Sequence, residues 1–244
     1  MRMRINEMLD IIDRIVSNGI TIEGTQEILK ILKCPFDMDT LEDMILYSEY
    51  LPANNPDEYN KEIKYLHFLW DVLDKTPMAV VANFSIMFRR ILAKKMFKKC
   101  GENFIAEENV RFNLPQNIEV GDDVFINRGT FIDSKGGVKI GNSVGIGEGV
   151  TIFTHSHAEH DHSLRKYGQV VIGNFAKVYS NSIILPSVTI DDQSIIAACA
   201  VVTKNVEYNS LAAGIPAKKI RDRLNNTKTL DELNHIWLKN SSYQ

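Results

Sequence analysis

Ile140-Gly141-Asn142-Ser143-Val144-Gly145-Ile146-Gly147-Glu148-Gly149-Val150-Thr151-Ile152 lies within a run that beats in sixes from Val120 to Val206. An aliphatic residue returns at Val120, Ile126 and Ile132, at Ile140, Ile146 and Ile152, and at Ile172, Val178, Ile184, Ile190, Ile196 and Val202. Four places after each beat comes a small or β-branched residue: Val124, Thr130, Gly136, Val144, Val150, Ser156, Ala176, Ser182, Val188, Ser194, Ala200 and Val206. A period of six is neither the helical repeat nor the alternation of a strand. It suits a three-sided parallel β-solenoid, one hexapeptide per face and three per coil. The beat residue points inward and the small residue fits a tight corner. Each coil can bury its apolar side only against the next.

The register breaks twice. Two extra residues stand between Ile132 and Ile140, around Lys135-Gly136-Gly137, and a longer excursion runs roughly from Ala158 to Gln169. Solenoids accept insertions at their corners, and such loops often carry the working face. This one opens on Thr154-His155-Ser156-His157-Ala158-Glu159-His160-Asp161-His162.

Residues 1–100 read as a helical domain. Ile5, Met8, Leu9, Ile12 and Ile15 share one helix face, and Thr21 to Leu32 holds a second helix that Pro35 ends. Leu41 to Tyr50, Tyr59 to Leu73 and Phe84 to Lys99 are expected to be helices too. Ile105-Ala106 and Val110 are expected in an irregular first coil. The β-helix domain spans residues 101–223, with Gly214-Ile215-Pro216 closing it. Residues 224–244 form a helical tail, with Leu233, Ile236 and Trp237 packing back from a helix over Leu230 to Leu238.

A net charge of -3 gives no electrostatic case for nucleic acid. The most apolar run, Met78 to Phe88, is too short to span a bilayer, and no apolar signal region follows Met1. Cys34, Cys100 and Cys199 show no metal or redox spacing. These features point to a soluble, cytoplasmic protein.

The hexapeptide run, the loop from His155 to Gly168 and the ending Ala212-Ala213-Gly214-Ile215-Pro216-Ala217-Lys218-Lys219-Ile220-Arg221 resemble the left-handed β-helix acyltransferases. The likeness is to the galactoside, maltose and nodulation O-acetyltransferase branch. It covers roughly Val120 to Arg223 and leaves out the helical first hundred residues. The fold it implies is mainly β with an α-helical N-terminal region, a left-handed parallel β-helix of hexapeptide repeats. Left-handedness comes from the resemblance alone, because parallel crossovers are normally right-handed.

The activity it implies is acetyl-CoA-dependent O-acetylation of a sugar or glycan hydroxyl, with no metal. Proton removal from a hydroxyl needs a base, and His titrates near neutrality. Aligned without a gap, the family's base falls on His157, with His155 as the fallback. Asn127 matches an acceptor-binding Asn, and Asp133 is the nearest match to an acidic acceptor residue. Ser180, Ala198, Thr203 and Lys204 match the coenzyme A groove. Lys218 and Arg221 match basic residues near its 3′-phosphate. Lys177 stands where the family has a groove Trp. A homotrimer with active sites between neighbours is also implied.

Other readings stay open. Serine acetyltransferase carries an Asp-His pair where this chain has Asp133-Ser134. Sugar-nucleotide N-acetyltransferases use the same solenoid. A γ-type carbonic anhydrase would use His157 and His162 as zinc ligands, but no His lies between His67 and His155 to supply a third. A non-catalytic scaffold is the last alternative.

Overall fold

The computed structural model describes residues 4–225, together with 228, 229 and 232; the expected helix over Leu230 to Leu238 lies outside the described residues. Five helices come first: α1 (Ile5–Ser17), α2 (Ile22–Ile31), α3 (Met38–Asp43), α4 (Lys61–Leu73) and α5 (Ala82–Met96). Thr21, Asp37 and Asn60 cap α2, α3 and α4 by accepting from the backbone N–H three residues on. The Asp37 cap starts α3 earlier than the sequence reading places it, and extended Met44 ends it; Tyr47–Tyr50 is a separate 3₁₀ turn. The Asn60 cap starts α4 after Tyr59. Helix α5 stops at Met96, short of the expected Lys99, because Phe97 is extended and buries its ring against Trp70, Phe104 and Phe112.

The solenoid has three faces. Lys99–Cys100, Ile118–Val120, Val138–Ile140, Val170–Ile172 and Thr189–Ile190 stack as the first. The second begins with Ile105–Ala106, Phe125–Ile126, Gly145–Ile146 and Lys177–Val178. It continues with Ile195–Ile196 and Ser210–Ala213, and antiparallel Lys218–Asp222 closes its edge. Arg111–Phe112, Phe131–Ile132, Thr151–Ile152, Ile183–Ile184 and Val201–Val202 make the third. All twelve beat residues are buried. So are the residues four places on, except Gly136 and Ser156, which fall in the two insertions.

Pairing on the second face measures each coil. The steps Ile105↔Phe125 and Phe125↔Gly145 are 20 residues, Gly145↔Lys177 is 32, Lys177↔Ile195 is 18 and Ile195↔Leu211 is 16. The step of 18 is three hexapeptides. The first coil pairs in parallel like the later ones, but at 20 residues it departs from three hexapeptides and is irregular in phase, as expected. Its two extra residues fall at the 3₁₀ turn Pro115–Asn117, which displaces the beat between Phe112 and Val120. Lys135 to Gly137 absorb the second pair of extra residues. In the third coil a hairpin of His155–Ala158 against Asp161–Tyr167 takes up the excess, and it begins three residues before the expected excursion.

Three residues after most beats the backbone turns left-handed: Asp123, Ser143, Phe175, Asn181, Ser187, Gln193 and Cys199 all have φ between 55° and 66°. Gly129 and Gly149 serve in the same way after Ile126 and Ile146, with φ of 71° and 65°. Asn, Asp and Gly suit that conformation best. Along the corner between the first and second faces the backbone N–H groups of Glu102, Asp122, Asn142 and Asn174 donate to Asp122, Asn142, Asn174 and Asp192 side chains at 2.6–2.9 Å. Glycines directly after the beats leave room for this ladder; a Cβ on Gly141 would lie 2.7 Å from Asn174 Oδ1.

The helices pack on the first coil. Trp70 is fully buried, donates from Nε1 to the Val110 carbonyl at 2.7 Å and meets the Phe112 ring at 5.0 Å. A buried Arg89–Asp74 ion pair lies behind it, and Arg111 reaches Asp71 at 2.9 Å. One hydrophobic core runs from Ile12 to Ala212.

His67 stacks on Phe112 at 5.1 Å and its Nδ1 pairs with Tyr59 Oη at 2.9 Å. Burial, with Arg111 adding to it, pushes the His67 pKa down to about 3 from 6.5. Between these values only the unfolded chain takes up the proton, so His67 stabilises the fold fully above 6.5 and loses that contribution as pH falls. Asp71 acts in the opposite direction, because burial raises its carboxyl from 3.8 to about 6 despite Arg111. Below about pH 6 its protonation favours the folded state. Urea unfolding of His67→Gln should therefore show less loss of stability on acidification than wild type. The difference expected is roughly 1 kcal/mol per pH unit between about pH 6 and pH 4.5. Equal slopes would show that His67 is not held neutral.

Candidate functional site

The corner between the third and first faces is broken on adjacent coils by the turn at Lys135 to Gly137 and by the histidine hairpin. Asp133 follows the strand Phe131–Ile132 and is 1% exposed. Its carboxylate is fully engaged. Oδ1 accepts from Asn113 Nδ2 at 2.9 Å and from the Lys135 ammonium at 2.8 Å, while Oδ2 takes the His155 ring Nδ1 in a short hydrogen bond. Burial pushes this carboxyl up, but the hydrogen bonds from Lys135, His155 and Asn113 outweigh it and hold it below the ordinary range. Thr154 locks the corner: its hydroxyl donates to the Asp133 carbonyl and accepts from Gly136 N, each at 2.7 Å. Only glycine fits at 136, where a Cβ would lie 2.5 Å from the Thr154 carbonyl oxygen.

The hairpin sets the histidines. In register His155 faces Tyr167 and His157 faces Arg165. His155 and His157 are two apart on one strand, so both rings project from the same side, and they meet edge to face at 5.5 Å. The Tyr167 ring stacks on His155 at 6.4 Å. His157 Nδ1 donates to the His162 carbonyl at 2.6 Å. A carbonyl only accepts, so Nδ1 carries the proton and the neutral ring keeps its lone pair on Nε2. The same logic holds for His155: Nδ1–H faces the Asp133 carboxylate and Nε2 faces away. His157, His160 and His162 are exposed, and His155 is 22% exposed.

Asp133, His155 and His157 thus come together. Asn127 does not join them within one chain. It follows Phe125–Ile126 at the corner between the second and third faces, and its Nδ2 donates to the Ile146 carbonyl at 2.8 Å. Ser180 and Ala198 lie along that same corner; Ser180 Oγ donates to Glu148 at 2.7 Å and Ala198 is exposed. Thr203 and Lys204 follow Val201–Val202, so they share the histidine corner farther along the axis, both exposed. Lys218 and Arg221 project from the closing strand Lys218–Asp222. Neither is ion-paired among the described residues, whereas Lys219 between them binds Glu207 and Asp222. Lys177 lies on the second face and donates to the Ser143 carbonyl at 2.7 Å; burial, with Arg223 nearby, lowers its amine to about 8.

Asn113, Lys135, Thr154, Tyr167 and the His162 carbonyl go unpredicted by the sequence reading. Asn113 was within reach of it, since it sits 20 residues before Asp133, one full coil. The Asp-His pair that Asp133-Ser134 lacks in sequence forms in space through His155. Among the described residues no group of three or more His, Cys, Asp or Glu side chains is placed to hold a metal. The three cysteines are free, and no helix there is long and apolar enough to cross a membrane.

The family described as bacterial transferase hexapeptide (six repeats) matches residues 169–204. A galactoside O-acetyltransferase of Escherichia coli K12 is 38% identical over 139 residues, which span 55% of this chain and 68% of that protein. Among solved structures, a galactoside acetyltransferase in complex with coenzyme A aligns with a TM-score of 0.61 and 28% identity, covering 77% of this chain and 91% of its own. A maltose O-acetyltransferase from Clostridium difficile 630 aligns with a TM-score of 0.61 at 24% identity, over 77% of this chain and 96% of its own, and shows the shared fold. The solenoid is accordingly a left-handed parallel β-helix.

Proposed function

The chain belongs to the hexapeptide-repeat acetyltransferase family, and we propose that it acetylates a hydroxyl of a sugar or glycan. It is an acetyl-CoA-dependent acyltransferase. The hydrogen bond from His157 Nδ1 to the His162 carbonyl carries the mechanistic reading, because it leaves Nε2 as the basic atom. A sugar hydroxyl is not ionised at neutral pH. His157 Nε2 removes its proton as the oxygen attacks the thioester carbonyl. Backbone N–H groups stabilise the tetrahedral oxyanion. Its collapse breaks the carbon–sulfur bond, and the imidazolium returns the proton to the departing thiolate. His155, oriented by Asp133, offers Nε2 to a neighbouring acceptor hydroxyl, so Asp133 acts on the acceptor through His155.

His157→Ala should lower kcat by about 10²–10⁴-fold, with acetyl-CoA binding retained. His160→Ala and His162→Ala should cost far less, since position 162 contributes a main-chain carbonyl that survives substitution. Steady-state kinetics on the four single variants decide the matter. Loss of turnover in His155→Ala alone would move the base to His155, and no loss in either would end the general-base mechanism.

Asn127, Ser180 and Ala198 on one corner, and the histidines with Thr203 and Lys204 on another, border the same third face. Copies packed side by side would bring one chain's histidine corner against its neighbour's Asn127 corner. We therefore expect a homotrimer with three inter-subunit sites, the closed cyclic arrangement usual for such assemblies. Light scattering at micromolar concentration should give three times the chain mass, and a monomer would refute the shared site.

The unpaired cations Lys218 and Arg221 suit the 3′-phosphate of coenzyme A. Replacing both with Ala should weaken acetyl-CoA roughly ten-fold or more and leave its 3′-dephospho analogue nearly unaffected. Equal losses by calorimetry for both ligands would remove this assignment.

A further inference from the structure

A cavity of about 360 Å³ opens on the first-face side of the histidine corner. Its size lies at the lower end of small-molecule pockets, roughly 300–1,000 Å³. Two of its walls belong to the histidine cluster. Lys135 is the residue whose ammonium holds Asp133, and Tyr167 is the residue whose ring stacks on His155. Whatever enters the cavity therefore lies beside the groups that face the acceptor.

The lining has a consistent chemistry. Tyr167 is 43% exposed, although one side of its ring is taken up by His155. The side-chain amides of Asn117 and Gln169 make no hydrogen bond to the described chain. Lys98 and Glu119 pair with each other at 2.7 Å at the rim. Gly136 and Gly137 also line it: a Cβ on the first would meet the Thr154 carbonyl oxygen, and the second has φ of 89° and would place a Cβ 3.4 Å from Gln169 Nε2. An aromatic surface beside free planar amides is what a pyranose needs. Its C–H edges pack on the ring, and its hydroxyls both donate to and accept from an amide.

We propose that this cavity is a second sugar subsite, holding the ring next to the one that is acetylated, so that the acceptor is a glycan of two or more sugars. The proposal rests on the histidine corner being the acetylation site. It gives the inserted turn at 135–137 and the hairpin a joint purpose, since each supplies one wall.

Calorimetry on the full chain, with galactose against lactose and glucose against maltose, tests it. At least one disaccharide should bind about ten-fold more tightly than its monosaccharide, about the worth of two neutral hydrogen bonds. Asn117→Ala combined with Gln169→Ala should abolish that advantage, and Tyr167→Ala should reduce it, with thermal unfolding confirming that each variant is folded. Equal binding of mono- and disaccharides, no binding of any of the four, or an advantage that survives both variants would overturn the subsite. Binding is read without turnover, so the two readings fail separately. A disaccharide advantage without acetyl transfer would remove the O-acetyltransferase reading and keep the subsite. Transfer without the advantage would do the reverse.

Discussion

The structure depends on the left-handed residue that stands three places after nine of the twelve beats. It turns the chain through a corner in the fewest residues, and its recurrence every six residues lets one corner stack on the one below. A side chain pays a steric cost there unless it is Gly, Asn or Asp. Phe175, Gln193 and Cys199 nevertheless adopt it, each with φ near 60°. Their conformation is imposed by the stack: once the coils on either side are in register, the backbone at 175, 193 and 199 has one path to follow. Cooperative stacking of this kind is expected where each coil finds its buried partner only in its neighbours.

That constraint decides where chemistry can sit. An insertion on a flat face would break two ladders, one to each neighbouring coil. At a corner it breaks none, and the chain can leave and rejoin in register. The steps of 20 and then 32 residues place two insertions on adjacent coils of one corner. The shorter one lowers the Lys135 ammonium onto Asp133, and the longer one lifts His155 and His157 out on a strand. Buried Asp133 is stable as an anion because three donors meet it from three coils: Asn113, Lys135 and His155. One chain segment could not assemble that set.

The beats were legible because the core tolerates few residue types, and the corners were less so. Asp123, Gly129, Ser143, Gly149, Asn181 and Ser187 carry a turn signal at fixed spacing, but Phe175 and Cys199 interrupt it. The first coil was legible only as an irregular one, because Pro115–Asn117 shifts its phase by two residues and its core positions are aromatic, with Phe104 and Phe112 where later coils use Val, Ala and Ile. The histidine cluster was legible as composition. The hydrogen bonds that orient its rings were not, since they reach Asp133 one coil away and the main-chain carbonyl of His162. Neither contact has a local sequence signature.

The aromatic first coil also accounts for the helices. A solenoid ends in an open ring of core side chains, which must be covered. At the far end the closing hairpin Ser210–Ala213 with Lys218–Asp222 covers an edge lined by small residues such as Ala212. At the near end the opening is wider, because Phe104 and Phe112 replace aliphatic residues. Trp70, Phe97 and His67 fill it, and the hydrogen bond from Trp70 to the Val110 carbonyl fixes the depth of the contact. Arg111 and Asp71 then tie the rim of the coil to α4. The helical region and the solenoid consequently share one core, and a first coil stripped of its helices would expose two phenylalanine rings to water. The size of that aromatic surface, more than any feature of the helices themselves, explains why this chain carries so large an N-terminal cap.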